Sequence, residues 1–484
     1  MSDSEWTKLE WKFKASEIGL TEDNIDKAYI NIVTEPSTSA YYVDDFIIKS
    51  DKAGKAGDGT FYDDYNLPEP AADISSTATG QTYFPVDVVD VDTGITSLYE
   101  KYADKFKIGG AIANEYVKKS GTRNIKIYEK LFKKHFNTAV SDGFFKIEEI
   151  LNLNNNKNNL DTYTFANADK VAKFCMENGI EIVGHALIWD KQKMYDYFYD
   201  GGEGGTEKYT RDELLEFMKE YITKVMKHFN GTGDASEYTV DGYTGGGVKT
   251  WDVLNEACAA PGLEEILSGQ KYQVKDYPYK YIIGSDYGKY AFKYAHEADP
   301  DAELRYNDYG EQTASKANAL VAYVKTLVDP DDPSKSYVDT IGVQSHYDIE
   351  SDITQIKNSL DIYVGTGKKI DITELDIKAY TKKQREAKVA IYEDGVPKSV
   401  EYKQAKLLRD LFDKYELISE HIGRVNFWTF TDLYAYPNIE VFDHKEYAGI
   451  FDRKFAPKPQ YYILVDTEEE FNKRYPDYQQ YITQ

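Results

Sequence analysis

EIVGHALIW (181–189) and VKTWDVLNE (248–256) flank RDELLEFMKEYITKVMKHF (211–229), and this succession decides the reading of the chain. The outer runs are short and apolar, whereas the middle one repeats its apolar residues at helical spacing. A strand, a helix and a strand in that order predict a βαβ unit with parallel strands. The pattern extends in both directions. FKIGGAIA (106–113) and FNTAVS (136–141) precede it; ELRYNDY (303–309), DTIGVQSHY (339–347), KIDITELDI (369–377) and RVNFWTFTD (424–432) follow. Amphipathic stretches lie between them, among them RNIKIYEKLFKKHF, NADKVAKFCMENG, ASKANALVAYVKTLV and VEYKQAKLLRDLFDKY. Eight alternations predict an α/β chain folded as a (β/α)8 barrel. An open doubly wound sheet is the alternative, but no GxGxxG or GxxxxGK follows any of the runs.

In such a barrel the chemistry sits where the strands end. The run ends carry His185 and Trp189, Asn255 and Glu256, Asn307 to Tyr309, Gln344 and His346, Glu374 and Asp376, and Trp428 and Asp432. The run starts, FKI, EIV, VKT, DTIG and KIDI, read as ordinary entry into a core. This asymmetry points to an enzyme.

Composition narrows the class. Lys and Arg total 58 against 83 Asp and Glu, a net charge of −25. That balance argues against nucleic acid or an anionic membrane as partner. No run approaches the roughly 18 apolar residues of a membrane span, and MSDSEWTKLEWKFK lacks the apolar stretch of a secretory signal. Cys175 and Cys258, the two cysteines, each follow apolar residues and read as small buried hydrophobes. The seven histidines are scattered, with no HExxH or CxxC, so neither a metal nor another cofactor is expected. The 43 tyrosines are many, and tyrosine suits wet surfaces that stack on sugar rings.

Glu256 closes run four and Glu374 stands near the end of run seven, and these two runs face each other across a barrel mouth. Glycoside hydrolysis needs two such carboxyls, one protonated and one ionised, about 5–5.5 Å apart when configuration is retained and about 6.5–9.5 Å when it is inverted. Asn255 is placed to donate to a sugar 2-hydroxyl. His346 ends run six, beside run seven, where it can donate to Glu374. Asp376 lies two residues after Glu374 and so on the same strand face, able to accept from the other imidazole nitrogen.

GHALIW, WDVLNEA, YNDYG, GVQSH, ITELDI and FWTFTD, in this order and spacing, resemble glycoside hydrolase family 10, the endo-β-1,4-xylanases. The likeness runs from about residue 97 and closes with GIFDRKFAPKPQYY. It implies a retaining double displacement on xylan or xylo-oligosaccharide, with Glu256 as acid/base and Glu374 as nucleophile. By the same match His185, Trp189, Gln192, Asn255, Tyr309, Gln344, Trp428 and Tyr436 contact sugar, Lys146 reaches the next glycone unit, and His346 and Asp376 support the nucleophile. A secreted or cell-surface location is implied, and a monomer is expected. The family's usual Glu-Asn after strand two is Asp142-Gly143 here, its usual histidine after Trp189 is Asp190, and Tyr436 stands for a glycone tryptophan. The shorter carboxylate and the missing amide at Asp142-Gly143 predict weaker polar contacts to the distal glycone sugar, about 0.5–1.5 kcal/mol each.

The catalytic domain is thus read as 97–484, preceded by a linker-like 50–96 rich in Gly, Ala, Ser, Asp and Pro. Residues 1–49 read as short strands and resemble part of a family 22 type carbohydrate-binding module. Two other functions stay open: a barrel that binds polysaccharide with little activity, and a retaining hydrolase of another β-1,4-glycan such as mixed-linkage glucan.

Overall fold

The computed structural model describes residues 95–153, 160–238, 240–262, 268–310, 312–386, 392, 395–434 and 446–482. The strand reading of 1–49, nearly all of the linker and Tyr436 lie outside these residues.

Eight strands form the barrel: β1 (Lys107–Ile112), β2 (Thr138–Ser141), β3 (Glu181–Trp189), β4 (Val248–Asn255), β5 (Glu303–Asp308), β6 (Thr340–Val343), β7 (Lys369–Lys378) and β8 (Ile422–Phe427). Each pairs in parallel with the next, and β8 pairs with β1, which closes the sheet and leaves no edge. A helix follows every strand: α1 (Arg123–His135), α2 (Ala166–Glu177), α3 (Arg211–Asn230), α4 (Tyr287–Ala298), α5 (Ala314–Val324), α6 (Ile353–Val364), α7 (Lys398–Leu417) and α8 (Pro459–Val465). The (β/α)8 expectation holds, and every apolar run overlaps its strand, although β7 extends one residue past the seventh run and β8 begins two residues before the eighth. The sixth run is interrupted. Ser345 takes a left-handed φ of 63°, and His346–Asp348 then pairs separately with β7.

Local sequence accounts for the helix ends. Thr210 and Glu213 form a reciprocal capping box at the start of α3, and Gly231, at φ 82°, ends it. The segment between α3 and β4 leads into a strand and so lies at the strand-entry face. Tyr238 and Tyr243 donate their hydroxyls to the carbonyls of His228 and Gly246. At Gly184 the constraint is close approach: a Cβ there would lie 2.1 Å from the buried Trp251 indole. Cys175 and Cys258 are free and buried. Among the described residues no helix is long and apolar enough to cross a membrane.

The strand starts are not ordinary core entry, which corrects the reading of FKI, EIV, VKT, DTIG and KIDI. Charges converge there. Arg424 reaches Glu181 (3.2 Å), Glu303 (3.1 Å) and Asp371 (3.1 Å), and Lys107 pairs with Glu181. Deeper in the barrel, Arg305 donates twice to Asp252 (2.6 and 3.0 Å) and once to Asp371 (2.8 Å). Inward-facing side chains from different strands meet at the axis, so charges of opposite sign can neutralise one another away from solvent. Burial pushes the Asp252 carboxyl upward, but Arg305 and then His185 outweigh it and hold it down at about 2.

Removing one partner of such a set leaves an uncompensated buried charge, at a cost of about 3–5 kcal/mol. Arg305→Leu is therefore expected to lose stability on that scale in chemical unfolding, and a change below about 1 kcal/mol would contradict the role given to this arginine.

Candidate active site

The mouth of the barrel is built where strand geometry breaks. Register shifts occur between β3 and β4 after His185, between β4 and β5 after Asp252, and between β7 and β8 after Ile372. Such irregularities re-aim side chains. Glu256, just beyond β4, takes a left-handed φ of 57°, uncommon for a residue with a Cβ and costing on the order of 1–3 kcal/mol. Its N–H donates to the Asn307 carbonyl (2.8 Å), tying the residue to the end of β5.

The side chain of Glu256 accepts from the Trp189 indole (3.2 Å) on one oxygen and from the Gln344 amide (2.9 Å) on the other. Burial raises its carboxyl above the usual range; the negative charges of Glu374 and Asp308 add to that, against Gln344 and Lys275. Glu374, inside β7, accepts from the Asn307 amide (2.7 Å) on one oxygen, and His346 Nε2 lies 3.1 Å from the other. Burial acts upward here too. The His346 hydrogen bond, the charge of two histidines and the Asn307 amide outweigh it, so Glu374 is held below the usual range. Two residues of one type, close enough to influence each other, are thus biased in opposite directions.

His346 is held as expected. Its Nδ1 lies 2.9 Å from Asp376, and Lys378 donates to the other oxygen of Asp376 (2.7 Å). Burial works to lower the imidazole, but Asp376 outweighs it and pushes His346 up to about 9. Asp376 is itself held at about 2, with His346 and Lys378 outweighing its burial.

Most of the other predicted residues gather around this pair. His185 is buried, with Nδ1 2.8 Å from Asp252 and its ring edge-on to Trp428 at 5.6 Å between centroids. Asn255 accepts from Asn307 (2.9 Å), while its own buried Nδ2 has no partner. The Lys146 ammonium lies 5.1 Å from the Trp189 ring centroid and 6.0 Å from that of Trp428. Tyr309 is exposed at the end of β5. Gln192 is not brought into the cluster: it lies on an exposed turn and donates to Glu203 (2.7 Å).

Some contributors were missed. Asn307 touches both Asn255 and Glu374, yet it was noticed only as part of a polar strand end. Asp252 and Arg305 sit inside apolar runs, where a charge is itself the signal of a partner elsewhere. Lys191 lies 3.9 Å over the Trp189 ring and pairs with Glu148. Two departures have a local explanation. Asp190 is buried and accepts from the N–H groups of Tyr279 (3.1 Å) and Lys280 (3.2 Å), so it fastens the segment before α4 rather than facing sugar. A Cβ at Gly143 would lie 2.9 Å from Oδ1 of Asn114, so an amide already fills the place of the missing side chain. Among the described residues, no cluster of His, Cys, Asp and Glu could hold a metal ion.

The sequence profile of glycosyl hydrolase family 10 matches residues 97–467. The chain belongs to that family. It is 30% identical to endo-1,4-beta-xylanase A of Thermoanaerobacterium saccharolyticum, over 81% of this chain and 29% of the relative. It is 27% identical to exoglucanase XynX of Acetivibrio thermocellus, over 99% and 36%. The chain therefore spans about a third of the length of these two relatives. The crystal structure of xylanase B from Clostridium stercorarium F9 superposes with a TM-score of 0.63 at 28% identity, covering 77% of this chain and all of that one.

In this family 10 barrel the His346 pairing should leave a pH signature. Its folded value of about 9 lies above the ordinary 6.5, so its stabilisation is complete below pH 6.5 and is lost as pH rises through 9. The stability difference between the parent and His346→Gln should shrink over that window in chemical unfolding at stepped pH. A difference that stays constant would contradict a protonated His346.

Proposed function

We propose that the chain cleaves β-1,4-xylosidic bonds within xylan with net retention, Glu256 serving as acid/base and Glu374 as nucleophile. The observation that carries this is the opposite bias of the two carboxyls, Glu256 raised and Glu374 lowered. In the first step Glu374 attacks the anomeric carbon while Glu256 gives its proton to the departing oxygen. In the second, Glu256 takes a proton from water, and the oxygen of that water displaces Glu374 from the anomeric carbon. The unpartnered Asn255 amide suits a 2-hydroxyl, a contact that strengthens as positive charge develops on the ring. His185, Trp189, Gln344 and Trp428 would enclose the reacting sugar and Lys146 the next glycone unit, with exposed Tyr309 beside Glu256 to stack the leaving sugar.

Family membership and the xylanase name of the T. saccharolyticum relative support xylan as substrate. A polymer too large to enter a cell supports a secreted or cell-surface location for the working enzyme. A second reading, retaining hydrolysis of another β-1,4-glycan, draws support from the exoglucanase name of the A. thermocellus relative. Reducing-sugar release from xylan and β-glucan side by side separates the two, and release from neither would favour a barrel that only binds.

The roles are tested through the leaving group. An acid catalyst matters most where the departing oxygen is basic, and removing one costs about 10²–10⁴-fold. Glu256→Ala should slow xylan cleavage on that scale but barely slow the glycosylation step of an aryl xyloside with an activated phenol. Equal slowing of both would exclude Glu256 as the proton donor.

A further inference from the structure

The turn that presents Glu256 is gripped along its backbone. Glu256 itself takes a left-handed φ of 57° and gives its N–H to Asn307. One residue on, the Ala257 carbonyl accepts from the N–H of Lys275 (2.9 Å). Lys275 directly follows Gln273–Val274, a short strand that pairs antiparallel with Cys258–Ala259. At Cys258 both backbone groups are taken. Its N–H donates to the Tyr306 hydroxyl (2.9 Å) and to one Asp308 oxygen (3.2 Å), and its carbonyl accepts from the Lys316 ammonium. The same ammonium donates to the other Asp308 oxygen (3.0 Å). One ion pair, Lys316 with Asp308, therefore closes on Cys258 at both its N–H and its carbonyl.

Lysine is an unfavourable residue for position 316. It is the third residue of α5, whose start Thr313 caps, and a cation in a first helical turn meets the positive end of the helix dipole. It is also buried, and a buried ammonium costs free energy unless an anion and further acceptors answer it. Asp308, itself fully buried, and the Cys258 carbonyl are those acceptors. The Tyr309 N–H (2.8 Å) and the Tyr306 hydroxyl complete the donors to Asp308. Burial works to lower the Lys275 ammonium nearby, but the charges of Asp308 and then Glu256 hold it up. By local criteria an apolar side chain would suit position 316 as well, so the ion pair is explained by what it grips. Trp189 and Gln344 fix the carboxyl of Glu256, and the bracket at Cys258 fixes its backbone.

We propose that Lys316 is a positioning residue for the acid/base: with Asp308 it brackets Cys258 and so holds Glu256 in the left-handed turn that aims its carboxyl at the departing oxygen. This rests on the reading of Glu256 as proton donor. A residue in that conformation relaxes unless its surroundings over-determine it, and a catalytic group displaced by about 1 Å can cost about 10²-fold in rate. In this role Lys316 neither touches sugar nor transfers a proton. Its contribution exists only where Glu256 has a proton to deliver to a basic leaving oxygen.

The test measures kcat/KM of the full chain on two aryl xylobiosides, one releasing an activated phenol and the other plain phenol. Lys316→Met should slow the plain-phenol substrate about ten- to a hundredfold and the activated one hardly at all. In a Glu256→Ala background the same substitution should slow neither further, because the group it positions is gone. Equal slowing of both substrates by Lys316→Met, no slowing, or a further loss in the Glu256→Ala background would overturn the proposal. Where Lys316→Met does not fold by circular dichroism, Lys316→Met/Asp308→Asn leaves no unpaired charge and keeps an acceptor for the Cys258 N–H, and the same outcomes decide on it. Glu256→Ala alone separates the proposal from the reading beneath it. If that variant slows both substrates equally, Glu256 is not the donor and both fall. If it discriminates between them and Lys316→Met does not, only the role of Lys316 fails.

Discussion

The guanidinium of Arg305 is shared between Asp252 and Asp371 in the middle of the barrel, and the site depends on that sharing. Asp252 lies on β4, Asp371 on β7 and Arg305 on β5, so a single side chain fixes three strands relative to one another. Arg424 on β8 carries the connection onward through Asp371 to Glu303 and Glu181. None of these charges is cheap to bury, and each is tolerated because the next one answers it. The arrangement also has direction: through Asp252 it grips His185 by Nδ1 and so connects to the mouth, where the His185 ring meets Trp428. The interior of this barrel is thus a relay of paired charges between its floor and its chemistry.

The same logic separates the two glutamates. Both are largely withdrawn from water, which alone would keep both protonated. Glu374 escapes because β6 and β7 deliver a protonated His346, itself held between Asp376 and Lys378. Glu256 meets two neutral donors, Trp189 and Gln344, and a nearby negative charge. Division of labour follows from what each carboxyl is given as a neighbour. The backbone cooperates, since Glu256 and Ser345 are held in left-handed conformations beside the cluster.

The apolar runs were legible because a barrel strand buried on both faces must be apolar over its length, and helices between them must be amphipathic. The mouth was legible because polar residues at strand ends have no structural reason to recur together. Glu256, Glu374, His346, Asp376, Asn255 and Gln344 were found that way and meet in space. Arg305, Asp252 and Asp371 were passed over because their partners lie far along the chain, where neither strand nor helix periodicity can join them; charges inside apolar strands were the signal to follow. Asp190 was read only as a departure from the family's usual histidine; it fastens backbone N–H groups of Tyr279 and Lys280, a tertiary contact without a local sequence mark. Gln192 was carried by its motif, and the turn that holds it directs its amide to Glu203. Lys275 escaped because its place depends on a hairpin whose strands are only two residues long.

The division of labour between Glu256 and Glu374 is tested most directly by the configuration of the first product. Proton NMR followed from the moment of mixing with a xylo-oligosaccharide resolves the anomeric signals of the new reducing end before mutarotation. The account predicts that the β-anomer appears first and the α-anomer only later. An α-anomer formed first would mean a single displacement by water, and Glu374 would not be the nucleophile.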